Sequence, residues 1–210
     1  MYTPKHFRED DLVVLQTLMR DYSFATLISV QDDSLPIASH LPFVYDPEPA
    51  PYGMLKAHMA LGNPQWKTFQ EGREVLVIFQ GPHAYISPSW YEVELSVPTW
   101  NYATVHAYGS PRLLKGRDEF YKHLQTLIAI HESQFDQPWP FQLPEDYVEK
   151  LMKGAIGFEI PVTRLEGKFK MSQNRSENER IRVSAELRAS GDPTLCEVAE
   201  LVRGARRRAE

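Results

Sequence analysis

The chain has 210 residues, 42% of them hydrophobic, and a formal net charge of -5. This composition is typical of a globular protein, and the acidic balance argues against a large nucleic-acid footprint, which needs a basic excess. The single cysteine, Cys196, excludes an internal disulfide, and no apolar run approaches the ~18 residues of a membrane span. With a charged N-terminus that lacks a signal-peptide pattern, we expect a cytoplasmic protein without membrane contact.

The sequence predicts one N-terminal helix followed by a series of strands. Apolar residues recur near helical spacing over residues 9–21, and Asp10 or Asp11 can cap the helix start. The period then changes to that of β-strands, with turn residues between the runs. Gly81-Pro82 is expected to break one of them. The predicted strands cover residues 23–31, 35–45, 52–58, 74–80, 84–87, 99–108 and 155–165.

Helical patterns interrupt this series of strands. Asn63 and Pro64 suit the N-cap and first position of a short helix. A strong helical pattern covers residues 117–133, and a short helix is predicted over residues 144–153. The first of these is predicted to present one apolar face, made of Phe120, Leu124, Leu127, Ile128 and His131.

Two further helices are predicted to close the chain. Ser176 with Glu179 fits a capping box, and Asp192 before Pro193 fits the start of the last helix. The one basic run of the sequence follows, with Arg203, Arg206, Arg207 and Arg208. Cations at a helix C-terminus face the negative pole of the helix dipole, so a structural role is the simpler interpretation and nucleic-acid contact is the alternative.

Strands in hairpin-like succession with interspersed helices indicate an α+β protein rather than a parallel βαβ sheet. A mainly antiparallel β-barrel, closed or split, with flanking helices and C-terminal helices fits this order and removes exposed sheet edges. The sequence contains no GxGxxG, GxxxxGK[ST], HExxH, CxxC or GxSxG motif. We therefore expect no metal site, and the sequence identifies no catalytic residue.

Polar and aromatic residues gather at the predicted strand ends. A flavin mononucleotide (FMN) needs apolar walls for its ring, amides or hydroxyls for its ribityl chain, and cations or helix N-terminal amides for its phosphate. Each candidate also has a simpler interpretation as a core, turn or solvated residue. The candidates are Trp66, Trp90 and Trp100 for the ring, Gln80 and Asn101 for hydrogen bonds, and Lys56, Lys168, Lys170 and the helix start at Asn63 for the phosphate.

Several segments resemble the PaiB family, whose members are described as FMN-binding negative transcriptional regulators with the flavin split-barrel fold. The segments are SHLPF, HMALGNPQW, VLVIFQGPHAYISPSWY, VPTWNYATVHAYG and LEGKFKMSQNR. The resemblance extends from Met1 to about Arg182. It implies a split barrel, FMN as the cofactor, and a homodimer with flavin at the subunit interface. We accordingly expect an FMN-binding domain over residues 1–175 and a helical extension over 176–210.

The more distant pyridoxamine 5'-phosphate oxidase superfamily implies where the flavin would lie. There the strand that begins at His40 would run beside the ring, and Gln80 would contact the polar edge of the ring. The turn containing Lys56 and His58 would meet the phosphate and ribityl chain. The Arg-Lys phosphate pair of those oxidases is absent here, so we expect Lys56, His58, the helix start at Asn63, or the lysines near Lys168 to bind the phosphate.

Three functions fit this resemblance. The first is a flavin-binding transcriptional regulator or redox sensor. The second is a flavin-dependent oxidoreductase. The third is a haem-binding split-barrel protein, since the chain has seven histidines and some relatives of the fold bind haem. Direct DNA contact would have to use residues 177–208, with Arg180, Arg182 and Arg188, and the net charge does not favour it.

Overall fold

The computed structural model describes residues 1–49, 51–69 and 72–205. Within them lie nine strands and five α-helices, together with short 3-10 helices at Lys5–Phe7, Pro64–Thr68 and Pro88–Tyr91. The strands are Arg8–Glu9 (β1), Phe24–Val30 (β2), Pro36–Pro42 (β3), Val44–Asp46 (β4), Met54–Ala60 (β5), Val75–Ile86 (β6), Thr99–Gly109 (β7), Arg112–Leu113 (β8) and Ala155–Lys170 (β9). The helices are Leu12–Asp21 (α1), Arg117–Glu132 (α2), Glu145–Met152 (α3), Glu177–Ala189 (α4) and Pro193–Gly204 (α5).

The strands in the described residues form one sheet in the order β3-β2-β6-β7-β9-β5-β4, and β1 and β8 each pair with β9. The pairings β2 with β3, β2 with β6, β4 with β5 and β5 with β9 are all antiparallel. Along β2 and β3 the register runs from Phe24 opposite Pro42 to Val30 opposite Pro36. The predicted α+β class with a mainly antiparallel sheet is confirmed.

The chain divides into two compact units. The first unit contains Met1–Leu18, Gln80–His106 and the described residues from Glu166 onward. The second unit contains the described parts of Met19–Phe79 and Ala107–Leu165. Each unit is described separately below.

In the second unit, alternation along the strands decides which side chains are buried. On β5, Leu55, Ala57 and Met59 are almost fully buried, whereas Lys56 and His58 between them are half-buried. Successive side chains of a strand point to opposite faces, so Lys56 and His58 share one face of β5. That face carries two of the predicted phosphate ligands.

In the first unit, β6 continues through the predicted break at Gly81-Pro82, so this prediction was wrong. Gly81 and Pro82 are both buried, which shifts the alternation by one residue instead of ending the strand. A Cβ on Gly81 would lie 3.0 Å from Leu18 Cδ1, so glycine permits this close approach. Gln80 before the shift and His83 and Tyr85 after it are all exposed.

The last strand is longer than the sequence predicted. Residues 155–165 were expected to form it, but β9 extends to Lys170. The short strand β1 pairs with this extension, with Arg8 opposite Lys168 and Glu9 opposite Gly167. A backbone partner for residues 167 and 168 explains why the strand does not end at Leu165.

Local capping hydrogen bonds set the helix starts as predicted. Asp11 Oδ1 accepts from the backbone N–H of Val13 before α1, which begins three residues later than expected. The capping box of Ser176 and Glu179 is present, and Asp192 accepts from the N–H of Leu195. Arg203 lies in the last turn of α5, whereas Arg206, Arg207 and Arg208 lie outside the described residues. None of the described helices combines the length and apolar character needed to cross a bilayer.

Candidate functional site

A cluster of lysines and aromatic rings lies in the first unit at the ends of β6, β7 and β9. We call it the lysine–aromatic cluster and define it as His83, Tyr85, Trp100, Tyr102, Lys168 and Lys170. The Trp100 ring centroid lies 6.1 Å from that of His83 and 5.9 Å from that of Tyr85. Lys168 Nζ lies 5.2 Å from the centre of the Tyr102 ring. The cluster unites three of the predicted site residues.

The two lysines of the cluster carry charges that no carboxylate balances. Lys170 Nζ donates to the carbonyl of Trp100 at 2.9 Å and to Thr99 Oγ1, and Lys168 Nζ donates to the carbonyl of Tyr2 at 3.2 Å. Neither lysine forms an ion pair within the described part of the chain. Burial and then repulsion by Lys168 lower the pKa of Lys170. An anion between the two amines would oppose this lowering, because an opposite charge favours the protonated amine.

Trp100 supplies an uncovered aromatic surface beside these cations. Its side chain is 53% exposed although it lies within a strand. Large exposed aromatic side chains in a strand are available to pack against a planar ligand or a partner protein. Gln80 is also exposed, on β6, so its amide is accessible to solvent.

Asn101 differs from Trp100 and Gln80 because its side-chain amide already has a hydrogen-bond partner within the protein. The residue is fully buried, and its Nδ2 donates to Ser172 Oγ at 3.0 Å. Ser172 adopts a left-handed backbone conformation with φ of 59°, which is uncommon for serine. The geometry therefore favours Asn101 as a residue that holds the segment after β9 against β7.

His40 and Asn63 lie in the second unit, and each has a local partner. His40 is exposed on β3, with Nδ1 3.0 Å from Oγ1 of Thr26 directly opposite on β2. Asn63 Oδ1 accepts from the N–H of Gln65 at 3.0 Å, and its Nδ2 donates to Ser39 Oγ at 2.8 Å. Asn63 is thus the predicted N-cap, but the helix it starts is a 3-10 helix of five residues and both groups of its amide are engaged.

His58 faces a second histidine that the sequence did not single out. His58 Nδ1 lies 3.3 Å from Nε2 of His123 on α2, and Phe120 packs against both rings. Burial, His58 and Lys56 together lower the pKa of His123 from 6.5 to about 4, and burial also lowers the pKa of His58. Both imidazoles are therefore neutral near pH 7.

His123 was missed because the buried face of α2 is rotated relative to the predicted apolar face. The structure buries Phe120, His123 and Leu127, whereas the predicted face included Leu124, Ile128 and His131. The i, i+3 spacing of Phe120 and His123 was the available signal. A histidine on the apolar face of a helix indicates a polar partner on the element that packs against that face.

A polar cavity of about 290 Å³ lies beside this histidine pair in the second unit. Its charged lining has both signs, with two lysines and three acidic residues, so the cavity does not form a simple anion cradle. Within the described residues, no three His, Cys, Asp or Glu side chains converge as metal ligands. The charged lining residues are Lys56, Lys122, Asp46, Glu119 and Glu159.

The structure thus groups the predicted site residues unequally. In the first unit, Trp100, Lys168 and Lys170 meet in one cluster, Gln80 is exposed on the neighbouring strand, and Asn101 is buried behind it. In the second unit, the predicted residues fall into three separate contacts. These are His40 with Thr26, Lys56 and His58 with His123, and Asn63 with Ser39.

Comparison with known proteins gives a family and a fold. Residues 1–164 match the family model described as "Putative FMN-binding domain". The protein named "Protease synthase and sporulation protein PAI 2" from Bacillus subtilis is 38% identical over 204 residues, which cover 96% of each chain.

Two solved structures share the fold at low sequence identity. A conserved hypothetical protein from Mycobacterium tuberculosis has a TM-score of 0.60 at 8% identity and covers 84% of this chain and 94% of its own. The FAD and haem binding protein from Mycobacterium smegmatis has a TM-score of 0.56 at 14% identity, over 78% of this chain and 73% of its own. The matched family region ends before Lys168 and Lys170, so their role in cofactor binding stays a prediction.

Proposed function

Because the chain belongs to the family of FMN-binding domains that includes the Bacillus subtilis PAI 2 protein, we propose that it is a homodimeric flavoprotein of the PaiB type that acts as a redox sensor or transcriptional regulator. The observation that carries the proposal is the pair Lys168 and Lys170, without a carboxylate partner, beside the exposed Trp100. FMN is the cofactor, and it supplies one- and two-electron transfer when bound.

The lysine–aromatic cluster fits the chemical needs of FMN. Burial and then repulsion by Lys168 lower the pKa of Lys170, and a phosphate dianion between the two amines would offset the repulsion. The exposed ring of Trp100 offers a wall for the flavin ring, and Gln80 offers an amide for its polar edge or the ribityl hydroxyls.

The residues around the cluster would keep it in place before the cofactor binds. Lys170 is held by the backbone carbonyl of Trp100 and by Thr99 Oγ1, which fixes its amine at the start of β7. Asn101 and Ser172 hold β7 against the segment that follows β9. Preformed groups of this kind reduce the ordering cost of binding.

The four predicted residues of the second unit remain proposed contacts. Lys56 is the strongest of them, because it lines a cavity and its amine can contact a phosphate there. His40 is exposed and can donate or accept a hydrogen bond. His58 and Asn63 already have partners, so we propose that they position their neighbours.

The test is the flavin content and phosphate selectivity of the purified protein. We expect a yellow protein with an absorbance band near ~450 nm that bleaches on reduction. Replacing Lys168 and Lys170 by Gln should weaken FMN binding by roughly 10-fold per lysine, the usual effect of one charged hydrogen bond. Riboflavin lacks the phosphate, so its affinity should change little, and Lys153→Gln serves as the charge-matched control.

A colourless protein that also fails to bind added FMN would exclude the proposed function. An equal loss of FMN and riboflavin affinity in the lysine variants would exclude the proposed phosphate site only. The haem-binding alternative predicts a Soret band on haem titration, and exposed His83 beside Trp100 is the candidate ligand. Loss of that band in His83→Ala would support haem, whereas its absence in the native protein would exclude it.

Direct DNA binding is less well supported than regulation through the flavin. Arg182 Nη2 donates to the carbonyl of Tyr91 at 2.5 Å, and Arg188 pairs with Glu200. Arg180 donates to the carbonyl of Ala205. The three arginines therefore all have internal partners. We propose that the protein regulates through its redox state, with flavin-dependent oxidation of a substrate as the alternative enzymatic role.

A further inference from the structure

A groove along the C-terminal helical hairpin brings three arginines together. It has a volume of about 490 Å³, and its lining includes Arg180, Arg188 and Arg203 together with Glu177 and Ile181. The four residues from α4 recur at spacings of three, four and seven, so they share one helix face. Arg203 comes from the last turn of α5. None of these residues belongs to the lysine–aromatic cluster.

The arginines of this groove have hydrogen-bond donors to spare. Arg203 is exposed and forms no ion pair within the residues that the structure describes. Arg180 donates through Nη1 to the carbonyl of Ala205, but its Nε is buried without an acceptor. A guanidinium has five N–H donors, so a single contact leaves most of them unused. The donors that line the groove are therefore available to an anion.

The charge and polarity of the groove limit the kind of ligand. Glu177 lines the groove and Glu200 pairs with Arg188, so the three guanidinium groups keep one positive charge in excess. This modest excess suits a single phosphate group better than a polyanion such as DNA. Ile181, 55% exposed, adds an apolar surface beside the cations.

We propose that this groove binds a phosphorylated small molecule, with the phosphate among Arg180, Arg188 and Arg203 and an apolar or aromatic part against Ile181. Guanidinium groups recognise phosphate through paired N–H donors, which gives the site its specificity. The site is separate from the flavin phosphate, because the two share no residue. A nucleoside monophosphate has both required parts.

The experiment measures AMP binding by calorimetry to the full-length, FMN-saturated protein in phosphate-free buffer. We expect one AMP per chain and no binding of adenosine, which lacks the phosphate. Arg203→Gln should weaken AMP binding by roughly 10-fold or more, as for loss of a charged hydrogen bond. Glu177→Gln should tighten it, because it removes the negative charge from the lining. Arg73→Gln, which removes an exposed arginine of the second unit, should have no effect.

Arg203→Gln and Glu177→Gln are expected to change the AMP affinity in opposite directions. A variant that merely unfolds would lose affinity, so the gain expected for Glu177→Gln cannot result from unfolding. Equal AMP affinity in the native protein and Arg203→Gln would overturn the proposal. Release of FMN by AMP would also overturn it, because AMP would then occupy the flavin site. Salt-sensitive binding of duplex DNA that competes with AMP and responds to the same variants would replace the small molecule with nucleic acid.

Discussion

Gly167 is the residue at which β1 and β9 approach too closely for any side chain. A Cβ there would lie 2.3 Å from Leu15 Cδ2 and 2.7 Å from the carbonyl oxygen of Glu9. We predict that Gly167→Ala lowers the free energy of unfolding by about 1–3 kcal/mol, the usual cost of forcing extra atoms into a packed site. Urea denaturation measures this change.

The matched control for this prediction is Gly62→Ala. A Cβ on Gly62 would meet no atom within 4 Å, so its stability should change little. If Gly167→Ala changed the free energy of unfolding as little as Gly62→Ala does, β1 would have to move away from β9 without loss of stability, and the prediction would be wrong. FMN affinity should fall with Gly167→Ala if β1 also steadies Lys168, its neighbour in the strand.

At the residue scale, the sequence predicts contacts between near neighbours and misses distant ones. The caps at Asp11, Asn63 and Asp192 were predictable because each hydrogen bond joins residues two or three positions apart. The pair of His58 and His123 joins residues 65 positions apart. Only the packing of α2 on β5 brings their rings together, and no local pattern encodes that packing.

At the scale of elements, the five α-helices in the described part of the chain and the longer strands were predictable in type, whereas the two-residue strands β1 and β8 and the full extents of β6 and β9 were not. The alternating pattern predicted β6 up to Gln80, but Gly81-Pro82 gave a turn signal that tertiary packing overrides. Residues beyond Leu165 carry an irregular polar pattern, and their pairing with β1 is a tertiary contact that this pattern does not reveal. Of the predicted site residues, Trp100, Lys168 and Lys170 lie near one another, and their role in flavin binding stays a prediction.

The contact between α2 and β5 should depend on pH through the histidine pair. The pKa of His123 falls from 6.5 to about 4 in the folded protein, so the unfolded chain binds a proton first as pH decreases. Stability is therefore complete above pH 6.5 and is lost between about pH 6.5 and 4, by roughly 2–3 kcal/mol. Urea denaturation at a series of pH values measures this loss.

The control for the pH prediction is His123→Phe, which keeps an aromatic ring in the buried position but cannot titrate. Its stability should vary less with pH over the same window than that of the native protein. An unchanged slope would assign the pH dependence to other groups. Hydrogen exchange of α2 amides would then distinguish local opening of the helix from global unfolding.

At the scale of the whole molecule, the proposed homodimer explains an apolar surface in the first unit. The segment between β6 and β7 exposes Val93, Leu95 and Val97, and Leu95 is 89% exposed. Tyr85 and Trp100 on the adjoining strands are also half exposed. Such a patch is costly in water and suits contact with a second copy of the chain.

We predict that Leu95→Asp converts the dimer to a monomer of 24.2 kDa in light scattering, because a carboxylate in an apolar interface is strongly disfavoured. Flavin content should fall in parallel if the partner copy completes the site. Val13→Asp changes an equally apolar exposed residue outside this segment and is the control. A native protein that is already monomeric would contradict the homodimer and leave FMN binding to be tested separately.

The proposed division at residue 175 separates the barrel domain from the two C-terminal helices, but it does not make the helices independent. Arg182 on α4 donates to the carbonyl of Tyr91, whose side chain is almost fully buried. Arg175 Cζ lies 4.0 Å from the centre of the Tyr91 ring. We therefore propose that the extension contributes to the stability of the first unit.

The shift in the alternation of buried and exposed residues at Gly81 and Pro82 limits which insertions and deletions the gene can tolerate. Deleting one codon between Gln80 and His83 would turn His83 and Tyr85 inward, away from Trp100, while the upstream half of the strand stayed in place. Insertions and deletions here should therefore be selected against more strongly than substitutions. Across homologues, the length of this short stretch is expected to be constant even where its composition drifts.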